Sequence, residues 1–351
     1  MDRTFNHYLM EIGREARGHT QADLCELLCV GQGTVSKYEN GLLDPPDPFV
    51  VALGQALRFP PEFFRQPARI LGFPPFHYRK RKALSRRVTA RINAEMNIRR
   101  LHVAALSKSF NARVATRIPQ YDPDEFHRSV ASVARLVREA WMLPRGPVAD
   151  LTAAIEAAGG VVIPCDFGTD QIDAISQRVD GLPVLFFINN ASPSDRLRHT
   201  LAHELGHMVM HTLVPDEDAK MEEEADMFAG CFLLPEDEIR PQLRPFGLPR
   251  LANLKAHWGV SIAALAVRAD RLRLLTPHQY KAFWVEYNKQ GYRYGEPVEV
   301  PRERPSLLRR MVEFHLTELG YSVAELARLL CLLPDEFADL YLERPRLRLV
   351  V

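Results

Sequence analysis

The chain has 351 residues, 46% of them hydrophobic and 25% charged, with a formal net charge of +1. This length predicts two or three domains, and the composition is that of an ordinary globular protein. A charge so near zero excludes a chain-wide field that would steer an anionic partner, so any nucleic-acid surface must be a local cluster. The opening MDRTFNHYLMEIGREARGH is charged where a secretion signal needs an apolar run, and no stretch approaches the roughly eighteen apolar residues of a membrane span. Cys25, Cys29, Cys165, Cys231 and Cys331 are odd in number and form no Cys-x-x-Cys. They fit buried thiols in a reducing cytoplasm better than a disulfide frame or a zinc knuckle. The expectation is a cytoplasmic, nucleoid-associated protein that makes no use of a membrane.

The first seventy residues read as short helices with sharp turns. TQADLCELL has helical apolar spacing behind a capping Thr, GQGTVSKYENG is a second short helix bounded by glycine, and PFVVALGQAL follows a DPPDPF break. REARGHTQADLCELLCVGQGTVSKYENGLLDPP resembles the lambda-repressor-like helix-turn-helix domains of the xenobiotic-response-element group. The resemblance implies that the second helix of the pair enters a DNA major groove. Gln32, Gly33, Thr34, Ser36 and Lys37 would then stand at base edges and phosphates, with Gln21 at the start of the first helix and Asn40 at the end of the second. Leu24, Leu28 and Val35 would pack the two helices together. Cys25 stands where such domains carry a small residue, and is read as packing rather than sensing. The alternative use of this bundle is dimerisation or partner binding.

HYRKRKALSRRVTARINAEMNIRR, residues 77–100, has no Gly or Pro and is predicted to form one long basic helix or two. It can track phosphates beside the reader or serve as a solvated connector; the sequence leaves both open. After IPQYDPD the pattern is helical to about 160. Strand-like runs GVVIPCDF and LPVLFFINN follow, with the weaker IDAISQRVDG between them.

HTLAHELGHMVMH (199–211) sets His199, His203, His207 and His211 four residues apart. On a helix such neighbours lie one above the other, each step turning by roughly 40°, so one ion can take only one adjacent pair. Only the pair 203/207 has a carboxylate directly after its first member, Glu204, placed to act as base on a metal-activated water. The pair 199/203 is followed by Thr200 and the pair 207/211 by Met208. His211 is left to bind substrate, orient a ligand or face solvent.

A catalytic zinc site takes three protein ligands and a water. EEEADMFAGCFLLP, on a second predicted helix, offers Glu222 at the edge of a face that carries Ala225, Phe228, Ala229 and Phe232. Asp226, one turn on, is placed to accept a hydrogen bond from a ligand histidine. Glu223 reads as solvated and Glu224 as a rival ligand. An acidic first turn that complements the helix dipole is the bland explanation of the three glutamates.

RLRHTLAHELGHMVMH followed by EEEADMFAGCFLLP resembles the ImmA/IrrE group of zinc metallopeptidases, over roughly residues 125 to 275, including VSIAAL. The resemblance implies a gluzincin-like zinc endopeptidase with His203, His207 and Glu222 as Zn2+ ligands and Glu204 as general base. Asp226 and His211 would stand behind the ligands. Phe in CFLLP, where Leu is usual, does not touch the chemistry. No oxyanion stabiliser is evident; His211, Arg196 and Arg198 are near in sequence.

The tail, with RPSLLRRMVEFHLTELG and SVAELARLLCLLPDEFADLYL, is helical. SVAELARLLC (322–331) echoes TQADLCELLC (20–29), so a second helix pair of similar shape is one reading. Pro334, Asp335 and Glu336 stand where a reading helix wants neutral or basic residues, and this pair is predicted not to bind DNA. No chemistry attaches to GYRYGEP.

The expected fold class is α+β, predominantly α. A helix-turn-helix bundle (1–70) and a basic helical linker (71–120) would precede a zincin-like metallopeptidase core with a small β-sheet (121–275) and a C-terminal helical domain (276–351), for which a ligand- or nucleic-acid-sensing module is a further reading. The expected function is a DNA-binding transcriptional regulator with a zinc-dependent endopeptidase. Its partners would be a double-stranded DNA operator, a protein substrate that is itself a repressor, and a second copy in a homodimer. The alternative is a non-proteolytic repressor or antitoxin whose zinc site is a sensor or a structural element.

Overall fold

The computed structural model describes residues 4–72, 84–110, 116–122, 125, 129–212 and 220–342. It is predominantly helical with one small sheet.

The N-terminal bundle holds α1 (His7–Ala16), α2 (Gln21–Leu28), α3 (Gln32–Glu39) and α4 (Asp47–Leu57). Thr20 opens α2 with a reciprocal cap: its hydroxyl accepts from the Asp23 amide at 3.1 Å, and the Asp23 carboxylate accepts from the Thr20 amide at 2.7 Å. α2 ends on Cys29 in the left-handed region, φ 53°, which turns the chain into α3. Leu24 and Val35 are fully buried with Leu9, Leu53, Phe63 and Phe64, and Leu28 and Cys25 pack partly against this core.

The next helix, α5 (Arg86–Ser107), starts at a Ser85 cap. Residues 77–83 of the basic run lie outside the described residues. Arg86, Arg87 and Arg91 are exposed, but from Ile92 onward α5 is interior. Ala94 and Ile98 join the N-terminal core, whereas Ile92, Met96, Val103 and Leu106 join a second one. Arg99 is paired with Glu95 at 2.7 Å, and Arg100 donates to Asn97 at 2.8 Å. This half of the run is a central strut, neither a solvated connector nor a phosphate track. Its apolar residues fall on two faces, which a charge count hides.

Two helices, α6 (Val130–Ala140) and α7 (Leu151–Ala157), lead into β1 (Val161–Cys165), β2 (Ala174–Gln177) and β3 (Leu185–Asn189). The strand order is β1-β3-β2, with β1 parallel and β2 antiparallel to β3. Both faces are covered, which explains the near-continuous apolar runs of β1 and β3. Val162, Ala174, Phe186 and Ile188 face the largest core, shared with the helices on either side of them in the chain. Val161, Ile163, Ile175 and Phe187 face the second core with α5.

Against the first face lie α8 (Ser194–Met210) and α9 (Lys220–Leu233), then α10 (Leu248–Trp258), α11 (Ile262–Arg271) and α12 (Pro277–Lys289). At the α8–α9 contact, a Cβ placed on Gly206 would stand 3.1 Å from both Cβ and Cδ1 of Phe228. This glycine is what lets the two helices approach. The strap between α12 and the next helix is anchored by Glu296 and Glu303. Glu303 accepts from the amides of Leu151 and Thr152 at 2.9 and 2.8 Å and pairs with Arg198.

The last helices are α13 (Leu307–Thr317), α14 (Val323–Leu329) and α15 (Pro334–Tyr341). They cover the second face of the sheet rather than standing apart. They also repeat the geometry of α1–α3. Gly18 and Gly320 both have φ 69°, and Cys29 and Cys331 both have φ 53°. The Ser322–Glu325 capping box matches that of Thr20–Asp23, and buried Leu326 and Phe337 match Leu24 and Val35. The acidic start of α15 points at the N-terminal bundle, where Glu336 pairs with Arg17 at 2.6 Å and Asp335 with Arg58.

Candidate metal centre and DNA-reading helix pair

Helix α8 brings His203 and His207 to one side, and α9 brings Glu222 opposite them. The two Nε2 atoms are 3.1 Å apart. His203 Nε2 lies 3.7 Å from Glu222 Oε2, and His207 Nε2 lies 3.3 Å from Glu222 Oε1. Ligands about 2.0–2.1 Å from a tetrahedral ion are separated from each other by about 3.3 Å. The three donors therefore lie close enough together to share one zinc-sized cation.

The outer hydrogen bonds decide where the imidazole protons sit. His203 Nδ1 is 2.8 Å from Asp226 Oδ1, so it donates there and leaves the lone pair on Nε2. Behind His207 runs a longer relay. His211 Nε2 donates to Glu224 Oε2 at 3.2 Å, and its Nδ1 accepts from His207 Nδ1 at 2.9 Å. Burial, with His207 beside it, lowers the His211 pKa to about 4 despite Glu224, which keeps that ring neutral. His207 Nε2 then also carries a lone pair. The Nε2 atoms of His203 and His207 and the Glu222 carboxylate lie within 4.8 Å of one another, an arrangement that a single cation can bridge.

Glu222 and Asp226 thus lie where the helical spacing put them. His211 is 1% exposed and lies 2.9 Å from His207 through their Nδ1 atoms; it does not face solvent. Glu224, the rival ligand, holds His211 instead. His199 stays out of the cluster, and burial lowers its pKa to about 4. Arg198 is buried on Glu303 and the Val148 carbonyl, and Arg196 pairs with Asp173 at 2.7 Å. Both are engaged in structural contacts.

Glu204 is fully buried, and its Oε2 accepts a 2.6 Å hydrogen bond from Ser176 Oγ. Sequence reasoning missed Ser176. It sits on the short strand β2, two residues after Ala174 and on the same face, turned toward α8.

In the helix pair, Gln32, Gly33 and Lys37 are exposed and Thr34 and Ser36 half-buried along the first turns of α3. Asn40 caps that helix, its side chain donating to the Ser36 carbonyl at 2.7 Å. The Gln21 amide donates to Glu39 Oε2 at 2.6 Å. The same Glu39 takes Arg14 Nε at 2.6 Å in a buried pair that locks α1 to α3. This Arg14–Glu39–Gln21 knot had no signature in the sequence beyond its residue types.

A His–His–Glu cluster on two packed helices beside a small sheet is thus joined to an N-terminal helical bundle whose second helix of the pair is exposed. Comparison with known families agrees: residues 155–270 match the IrrE N-terminal-like domain, and residues 12–65 match a helix-turn-helix domain. The chain carries an IrrE-like peptidase domain fused to an N-terminal helix-turn-helix domain. No curated protein matches it. No described helix is long and apolar enough to cross a membrane.

Proposed function

We propose that this chain is a transcriptional regulator that reads operator DNA through α3 and cuts a regulator protein, itself a repressor, at a zinc centre held by His203, His207 and Glu222. The convergence of three donor atoms, from His203, His207 and Glu222, carries the reading. When bound there, zinc supplies Lewis acidity. Glu204 takes the proton of the attacking water and returns it to the leaving amine. Ser176 aims the Glu204 carboxylate, Asp226 orients His203, and the His211–Glu224 relay orients His207. Gln32, Thr34, Ser36 and Lys37 supply base and phosphate contacts. A homodimer matches the paired half-sites such readers bind, and the reading places the protein on the nucleoid in the cytoplasm.

The test incubates zinc-loaded protein with the repressors encoded beside its gene, in parallel with Glu204→Gln. Cleavage by the native chain and none by the variant is the expected result. Full zinc occupancy with no cleavage of any candidate would move the site to a sensor role. Lys37→Ala and Gln32→Ala each weaken operator binding; unchanged binding in both removes the assignment of α3 to the groove.

A further inference from the structure

A cavity of about 670 Å³ opens on the outer side of Asp226. Cavities of roughly 300–1,000 Å³ hold drug-sized ligands. Ala229, Leu233, Val260, Ala264 and Val267 give it an apolar floor, and residues 292–296 of the GYRYGEP stretch form its outer wall. None of His203, His207, Glu222 and Glu204 lines it, so it is a compartment next to the metal centre and not the cleavage cleft.

The carboxylates of this cavity are engaged. Asp195 and Glu296 hold Lys255 at 2.6 and 3.0 Å, and Glu296 also accepts from the Ile262 and Ala263 amides and the Tyr287 hydroxyl. Asp226 holds His203. Two of the guanidinium groups are likewise occupied, Arg196 with Asp173 and Arg268 with the Leu234 carbonyl and Cys231. The other two have capacity left. Arg271 makes a single 3.1 Å bond, to the Asp226 carbonyl, and Arg293 has no hydrogen bond or ion pair among the described residues. Tyr294 beside it is 93% exposed. Arg293 thus carries an unpaired positive charge at the rim of an apolar floor, and Arg271 adds a second positive charge that also faces the Asp226 carboxylate and helps to lower its pKa.

We propose that this cavity binds a small organic anion with an apolar body, the body on the α9–α11 floor and the charged head paired with Arg293 and Arg271. The bond from Arg271 to the backbone of Asp226 links the occupant to the residue that orients His203. The proposal goes beyond peptide cleavage and does not depend on it, since its test reads ligand binding alone.

The probe is 8-anilinonaphthalene-1-sulfonate, an aromatic body with one sulfonate, titrated by fluorescence into the full chain. The expected result is one saturable site per chain. Arg293→Glu, at an exposed position, weakens it by about tenfold or more, as loss of a charge-assisted hydrogen bond requires. Ala264→Phe, which fills the floor without changing charge, abolishes it. Octanoate displaces the probe and octylamine does not. Unaltered affinity in Arg293→Glu, or equal displacement by octylamine and octanoate, overturns the proposal. Zinc content and far-ultraviolet circular dichroism of both variants establish that the fold is kept.

Discussion

The two proposed ligand histidines have outer hydrogen-bond partners of very different burial, and this sets an order of effects. Losing such an outer partner typically lowers metal affinity by roughly 10–100-fold, which is about 1.4–2.7 kcal/mol. The Asp226 side chain is 51% exposed. In Asp226→Ala water can take over as acceptor for His203 Nδ1, so the loss falls at the lower end, about tenfold. Asp226→Asn keeps an acceptor oxygen and loses only the charge, and its effect is smaller still. His207 is 0% exposed. In His211→Phe the His207 Nδ1 loses a fully buried partner, and the loss falls at the upper end, about 100-fold. Competition titration against a chelator of known affinity, near neutral pH, measures all three variants. A greater loss in Asp226→Ala than in His211→Phe, or no loss in either, would refute the tautomer assignment from which the order is worked out.

Gly206→Val forces a branched side chain into the Phe228 contact and is expected to cost about 1–3 kcal/mol by overpacking; a melt unchanged from the native one would show that α8 and α9 need no glycine there. Ser176→Ala leaves zinc stoichiometry at the native value and slows cleavage by about tenfold, as removal of one hydrogen bond to a carboxylate suggests; an equal loss of zinc would make Ser176 a structural residue only. Burial and nearby Arg99 lower the His102 pKa to about 3. Between that value and the unfolded value of about 6.5, the unfolded chain binds a proton that the folded chain does not. This stability is intact above the unfolded pKa and falls by about 1.4 kcal/mol per pH unit as the medium is acidified through the window. Urea melts of His102→Gln across that range are expected to show a shallower acid limb than the native chain; parallel limbs count against it.

The candidate metal centre was the most legible part of the molecule, because its three donors sit on two helices and helical spacing fixes which side chains share a face. Glu204 singled out the pair 203/207, and Glu222 and Asp226 followed from one periodic pattern. Ser176 was illegible for the opposite reason: it meets Glu204 through the β1-β3-β2 order, which no local pattern encodes. The interior role of α5 was hidden by its arginines, whose charge masks apolar positions split between two cores. The echo between residues 20–29 and 322–331 did carry geometry, down to matching left-handed cysteines, but not where its reading-helix counterpart points. Pairing of Glu336 with Arg17 depends on how separate elements dock. The charge state of the cavity wall was equally out of reach, since it depends on which carboxylates other residues have already taken.

The most direct measurement of the central claim is the zinc stoichiometry of the purified chain and three variants. The account predicts one zinc per native chain, one per Glu204→Gln chain, and strong depletion in His203→Ala and Glu222→Ala. A folded native chain without zinc, or full retention in Glu222→Ala, would contradict it.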